Sequence, residues 1–158
     1  GSDIVYVARV SVPKIIAIAV HIGTRFPAVA TSMGQVLLAD LSHAQLEEVL
    51  KLPSRSEIIP RVAPSRRELA RDLAEVRERG WALSDERLSL GIRSVAAPVR
   101  DASGTTVAAV NVTVHAAETS VSALKRRHLP RLLETARAIT EEWARLSRLP
   151  VPDPLGRT

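Results

Sequence analysis

The chain has 158 residues, enough for one domain with its own core, and its 46% apolar and 25% charged residues and net charge of +5 fit an ordinary globular domain. Aromatic residues make up only 3%, which counts against single-stranded nucleic acid binding, and the absence of Cys excludes disulfides and thiolate metal sites and fits a reducing cytoplasm. No apolar run reaches the roughly 18–20 residues that span a bilayer, and no signal peptide is visible.

Gly1-Ser2 reads as a cloning scar, so a preceding segment is expected to lie outside this chain. Residues 3–147 are expected to form the domain. Ile4 to Val12 alternates and is β-branched, which predicts a strand. After Pro13-Lys14, the continuously apolar Ile15 to Val20 predicts a second, buried strand. Residues 21–31 form a loop broken by Gly23 and Pro27.

Thr31 or Ser32 is a good N-cap for a helix running to about Leu41. Gly34 is unusual near its start, since Gly costs about 1 kcal/mol there relative to Ala. It reads either as close packing of the helix or as bare backbone left for a ligand at the helix N-terminus. Ser42-His43-Ala44-Gln45 fits a capping box and opens a second helix to about Leu50. Pro53, Pro60 and Pro64 mark residues 51–64 as a connector. Ser65-Arg66-Arg67-Glu68 is another capping box, and the helix it opens carries Leu69, Leu73 and Val76 on one face and stops at Gly80. Its Arg residues alternate with Glu and Asp, the pattern of a solvated face with i,i+4 pairs rather than of a phosphate-binding stripe.

Trp81 to Leu83 reads as a short strand. Gly91 to Ala116 is the centre of the chain: a hairpin of strands Ile92–Arg100 and Thr105–His115 around Asp101-Ala102-Ser103-Gly104. Pairing Arg100 with Thr105 sets Ser94 opposite Asn111 and Ile92 opposite Thr113. Val110, Val112 and Val114 then line a core face, while Ser94, Asn111, Thr113 and His115 make a polar row on the other. Such a row faces water or a polar ligand. A helix starts near Ser120 and breaks near His128, because Pro130 does not fit a helix interior. Leu129, Leu132, Leu133, Ala136, Ile139, Trp143 and Leu146 form the apolar stripe of the next one. Residues 148–158 read as a Pro-rich tail. Helices between hairpins rather than after every strand indicate an α+β layer.

No catalytic motif emerges. His21, His43, His115 and His128 lack ligand spacing, so no metal or cofactor is expected. There is no nucleophile elbow, P-loop or dinucleotide fingerprint, and an enzyme is not expected. Asp85-Glu86 reads as dipole-complementing charge at a helical start. His115 reads either as a base or as a residue that satisfies a partner.

Three segments carry a family resemblance. FPAVATSMGQVLLADL, RRELARDLAEVRERGWALSDERLSLGIRSVAAPVRDASG and TTVAAVNVTVHA together resemble the C-terminal, effector-binding domain of IclR-family bacterial transcriptional regulators. VNVTVHA and the opening VARV look most like the subgroup controlling aromatic-acid breakdown through the β-ketoadipate pathway. The resemblance implies an α+β fold with a six-stranded antiparallel sheet of the GAF or profilin-like kind, flanked by helices. It implies a small organic acid effector, an aromatic acid or dicarboxylate, and homodimers or tetramers in the cytoplasm, with no membrane contact. Operator DNA would be bound only through a winged helix-turn-helix absent from this chain. The family's carboxylate-binding amides fall on Ser32 and Met33, its apolar walls on Ile18 and Phe26, and its polar contacts on Ser84, Ser94, Asn111 and Thr113. Some members carry Asp where Ser84 stands, and Asp85 is a substitute for that contact. His115 extends the row and is placed to donate to a second carboxylate. A sensory domain of another signalling protein and a pure oligomerisation module are the alternative readings.

Overall fold

A computed structural model describes residues 1–10 and 20–147. Its element order is β1 (Asp3–Val5), β2 (Arg25–Pro27), a 3-10 turn (Ala28–Ala30), α1 (Ser32–Ala39), α2 (His43–Lys51), α3 (Arg66–Arg79), β3 (Ala82–Asp85), β4 (Ile92–Arg100), β5 (Thr106–His115), α4 (Val121–Arg127) and α5 (Leu129–Leu146). The architecture is α+β, as expected. The described strands, however, form two antiparallel sheets, β1-β2 and β3-β4-β5, rather than one sheet of six. The first predicted strand is three residues long, pairing Ile4 with Phe26, and its partner lies in the segment expected to be a loop. Strands this short leave no periodicity to read. The second predicted strand, Ile15 to Val20, lies outside the described residues except for Val20.

Local sequence sets the helix boundaries. Both capping boxes form: Ser42 and Gln45 exchange bonds at the start of α2, and Ser65 and Glu68 do so at the start of α3. Gly80 ends α3 in the left-handed conformation at φ 78°, which Gly adopts without the steric cost of a side chain. Ser120 caps α4, and α4 ends at His128. Pro130 then stands in the first turn of α5, where its missing N–H costs no hydrogen bond.

The central hairpin forms with a different register. Val99 pairs with Ala108 but Arg100 pairs with Thr106, so the strands slip at a bulge. The Arg100 N–H leaves the ladder there and donates to Thr140 Oγ1 of α5 at 3.1 Å. Beyond the bulge Ser94 pairs with Thr113, Ala96 with Asn111, and Ile92 with His115. This is two residues from the predicted pairing, and an even slip leaves every side chain on its predicted face.

The three-stranded sheet separates two apolar cores. Ala82 and Ala96 join Met33, Val36, Leu69, Leu73 and Val76 beneath α1 and α3. Val95, Ala97 and Val114 join Leu124, Leu129, Leu132 and Ala136 of α4 and α5 on the opposite side. The α5 stripe is buried only through Leu129, Leu132 and Ala136; Leu133, Ile139, Trp143 and Leu146 are partly exposed.

Candidate functional site

The candidate site lies where the start of α1 meets the polar face of the sheet. Thr31 caps α1, its Oγ1 accepting the Gly34 N–H at 3.1 Å, and the Thr31 carbonyl accepts the Gln35 N–H at 3.0 Å. The N–H groups of Ser32 and Met33, the other donors of this first turn, have no acceptor among the described residues. A helix start leaves such groups pointing outward with a partial positive charge, which suits an anion. Both residues are buried, Ser32 at 1% exposure. Gly34 is explained by packing: a Cβ there would stand 2.1 Å from the Ala28 carbonyl oxygen, so α1 rests on the 3-10 turn rather than leaving bare backbone for a ligand.

The sheet supplies the polar side. Ser84, Ser94 and Thr113 are cross-strand partners on one rung of β3, β4 and β5, with Asn111 on the next. Ser32 and Ser94 hydroxyls are 2.8 Å apart and tie the helix start to the sheet. Ser84 Oγ donates to the Ala30 carbonyl at 3.0 Å. Asn111 Nδ2 donates to Thr113 Oγ1 at 2.9 Å and to the Tyr6 hydroxyl at 3.4 Å. Phe26 is buried and packs edge-on against Tyr6, with ring centroids 5.6 Å apart.

Seven predicted residues are thus brought into one region: Phe26, Ser32, Met33, Ser84, Ser94, Asn111 and Thr113. Ile18 lies outside the described residues. Asp85 is not in the row: it alternates to the other side of β3 and forms an ion pair with Arg93 at 2.6 Å. His115 is at the end of the row, but its ring packs over Gly91 and its Nδ1 accepts the Ala117 N–H at 3.3 Å. Tyr6 escaped the sequence reading, although it is the chain's single tyrosine and stands in the predicted first strand. Burial pushes its phenol above the ordinary tyrosine value, outweighing the opposing pulls of Asn111, Arg9 and Thr113. It therefore stays protonated and neutral at physiological pH.

A separate cleft of about 250 Å³ opens between α1, α3 and β3. Its charges are matched internally, Asp72 with Arg87 and Arg71, and Glu75 with Arg79. Among the described residues no three His, Asp or Glu side chains gather as a metal site, and no helix is long and apolar enough to cross a membrane.

The family model described as bacterial transcriptional regulator IclR C-terminal matches residues 1–141. The chain belongs to this family. Among its relatives, the Pca regulon regulatory protein of Pseudomonas putida is 36% identical over 143 residues, covering 90% of this chain and 49% of that protein. This IclR-family chain spans about half the length of the curated relatives it matches. A protein of Rhodococcus sp. RHA1 classed as a transcriptional regulator superposes with a TM-score of 0.86 at 44% identity, over 94% of this chain and 60% of that one. The inducer binding domain of a doubly mutated PobR transcription factor from Acinetobacter, in complex with 3-hydroxybenzoic acid, superposes with a TM-score of 0.75 at 30% identity, over 88% of this chain and 82% of that one. These relatives are regulators of transcription rather than enzymes.

Proposed function

We propose that this chain is the effector-binding domain of a bacterial transcriptional regulator, and that its effector is a small aromatic acid. The observation that carries this reading is the start of α1, where Ser32 and Met33 present two N–H groups without acceptors among the described residues, beside a row of neutral hydrogen-bonding side chains. A carboxylate takes those N–H groups. Ser84, Ser94, Asn111 and Thr113 engage the rest of the molecule, and Phe26 shields it from water. The resemblance assigns Ile18 to the apolar wall. The hydroxybenzoate complex of the PobR domain supports the choice of an aromatic acid. In the cell this domain acts in a cytoplasmic homodimer or tetramer, and operator DNA is contacted by a winged helix-turn-helix elsewhere in the protein. The effector biases those DNA-binding domains by binding two arrangements unequally.

A thermal-shift screen tests the reading, with protocatechuate, 4-hydroxybenzoate, β-ketoadipate, β-carboxymuconate, adipate, pyruvate and glyoxylate. A selective rise with one aromatic acid supports it, since a ligand at 100 times its Kd stabilises the folded state by about 2.7 kcal/mol. A flat response moves the assignment to the oligomerisation reading. Equal affinity of the effector for wild type and Asn111→Ala would remove Asn111 from the site.

A further inference from the structure

We propose that Tyr6 is a specificity-determining residue of this site, its hydroxyl acting with the Asn111 amide to read a hydroxyl group on the far end of the acid. This rests on the effector reading above and adds to it the residue that reads the hydroxyl.

Three observations carry it. The Tyr6 hydroxyl is 3.4 Å from Asn111 Nδ2, which in turn is 2.9 Å from Thr113 Oγ1, so the phenol belongs to the same hydrogen-bonded group as the row. Its position is fixed by its backbone rather than by the row: the Tyr6 N–H donates to Thr24 at 3.0 Å and its carbonyl accepts from Gly23 at 2.7 Å. The ring is braced edge-on by buried Phe26, leaving the hydroxyl directed at β5.

The chemistry of the pair defines what it recognises. The phenol accepts from Asn111 and carries a proton of its own, and the carboxamide of Asn111 has an acceptor oxygen. A donor and an acceptor side by side complement a ligand hydroxyl, which both gives and takes. Burial keeps the phenol neutral, so the donor persists at physiological pH. The carboxylate-binding end at Ser32 and Met33 and the hydroxyl-reading pair at Tyr6 and Asn111 thus differ in kind, and an acid with a carboxylate and a hydroxyl satisfies both.

Calorimetric titration of benzoate, 3-hydroxybenzoate, 4-hydroxybenzoate and adipate into wild type and Tyr6→Phe tests the assignment. Wild type is expected to prefer one hydroxybenzoate over benzoate by about three- to ten-fold, the worth of one net hydrogen bond. Tyr6→Phe is expected to lose most of that preference while its affinity for benzoate stays within about two-fold, by the same arithmetic. A preference retained in Tyr6→Phe overturns the role of Tyr6 alone. Failure of every acid to bind wild type overturns the effector reading itself. Because Tyr6 is the single tyrosine, a ¹³Cζ-tyrosine label gives one NMR signal in the unmutated protein. That signal is expected to move further on saturation with the hydroxybenzoate than with benzoate. Equal movement overturns the proposal even where Tyr6→Phe does not fold.

Discussion

Gly34→Ala sets two effects of opposite sign against each other. Helix propensity alone makes the change stabilising by about 1 kcal/mol, because Gly is a poor residue for a helix interior. Packing opposes it. The new Cβ would lie 2.1 Å from the Ala28 carbonyl oxygen and 2.4 Å and 2.5 Å from its Cα and carbonyl carbon, all backbone atoms. A Cβ needs at least 3.0 Å, so α1 and the 3-10 turn must separate by about 1 Å. Overpacking of this kind costs about 1–3 kcal/mol. The shift also strains the Thr31 cap on the Gly34 N–H, worth about 1 kcal/mol. The net expectation is a loss of about 1–3 kcal/mol, or a fall in Tm of about 3–10 °C at this chain length. Urea unfolding followed by far-UV circular dichroism, with a thermal melt alongside, measures it. Ligand affinity should fall too, since Ser32 and Met33 move with the helix start. An unchanged or raised Tm would refute the packing argument and leave propensity as the governing term.

Leu73→Ala should cost about 2–5 kcal/mol in the same unfolding assay, because Leu73 is fully buried between α3 and α1 and its removal leaves a cavity. Ser65→Ala should cost about 1 kcal/mol by loss of the α3 cap and leave effector affinity unchanged, since the cap is exposed and outside the candidate site. Asp40 links the end of α1 to the hairpin, accepting the Thr106 N–H and an Arg100 N–H, each at 2.8 Å. Burial acts to raise its pKa, but those bonds together bring it below the ordinary carboxylate value. A lowered folded-state pKa gives stability that is complete above the unfolded pKa and is lost as pH falls through the folded one. Asp40→Asn should therefore melt below wild type at pH 7, with the gap narrowing as pH falls below the ordinary carboxylate range; a gap that does not narrow on acidification would contradict the linkage.

Features governed by nearby residues were legible in the sequence. Ser42 with Gln45, Ser65 with Glu68, Gly80, and Pro130 just past His128 each act within one helical turn, and all four appear as predicted. The polar row was legible because strand alternation survives an even slip. Its pairing was not, because the bulge at Val99 and Arg100 is set by α5, where Thr140 takes the freed N–H. Asp85 enters the expected site only as a substitute for the Asp that some family members carry at Ser84, yet adjacent strand residues face opposite sides, and Arg93 holds it there. The α5 stripe announced apolar residues at helical spacing, but periodicity does not say how far the covering sheet extends. Ile139, Trp143 and Leu146 therefore remain partly exposed. Tyr6 was invisible because its significance depends on Asn111, far along the chain.

That separation has a consequence for how the protein folds. Tyr6 and Asn111 are 105 positions apart, and Ser32 and Ser94 are 62 apart. Contacts of such range form only after the loop-closure entropy of most of the chain has been overcome, so they are among the last to be made during folding. A partly folded chain in which these contacts are not yet made lacks the assembled site. The effector would therefore engage only finished molecules, and a cell rich in it would hold more of the newly made protein in its mature form.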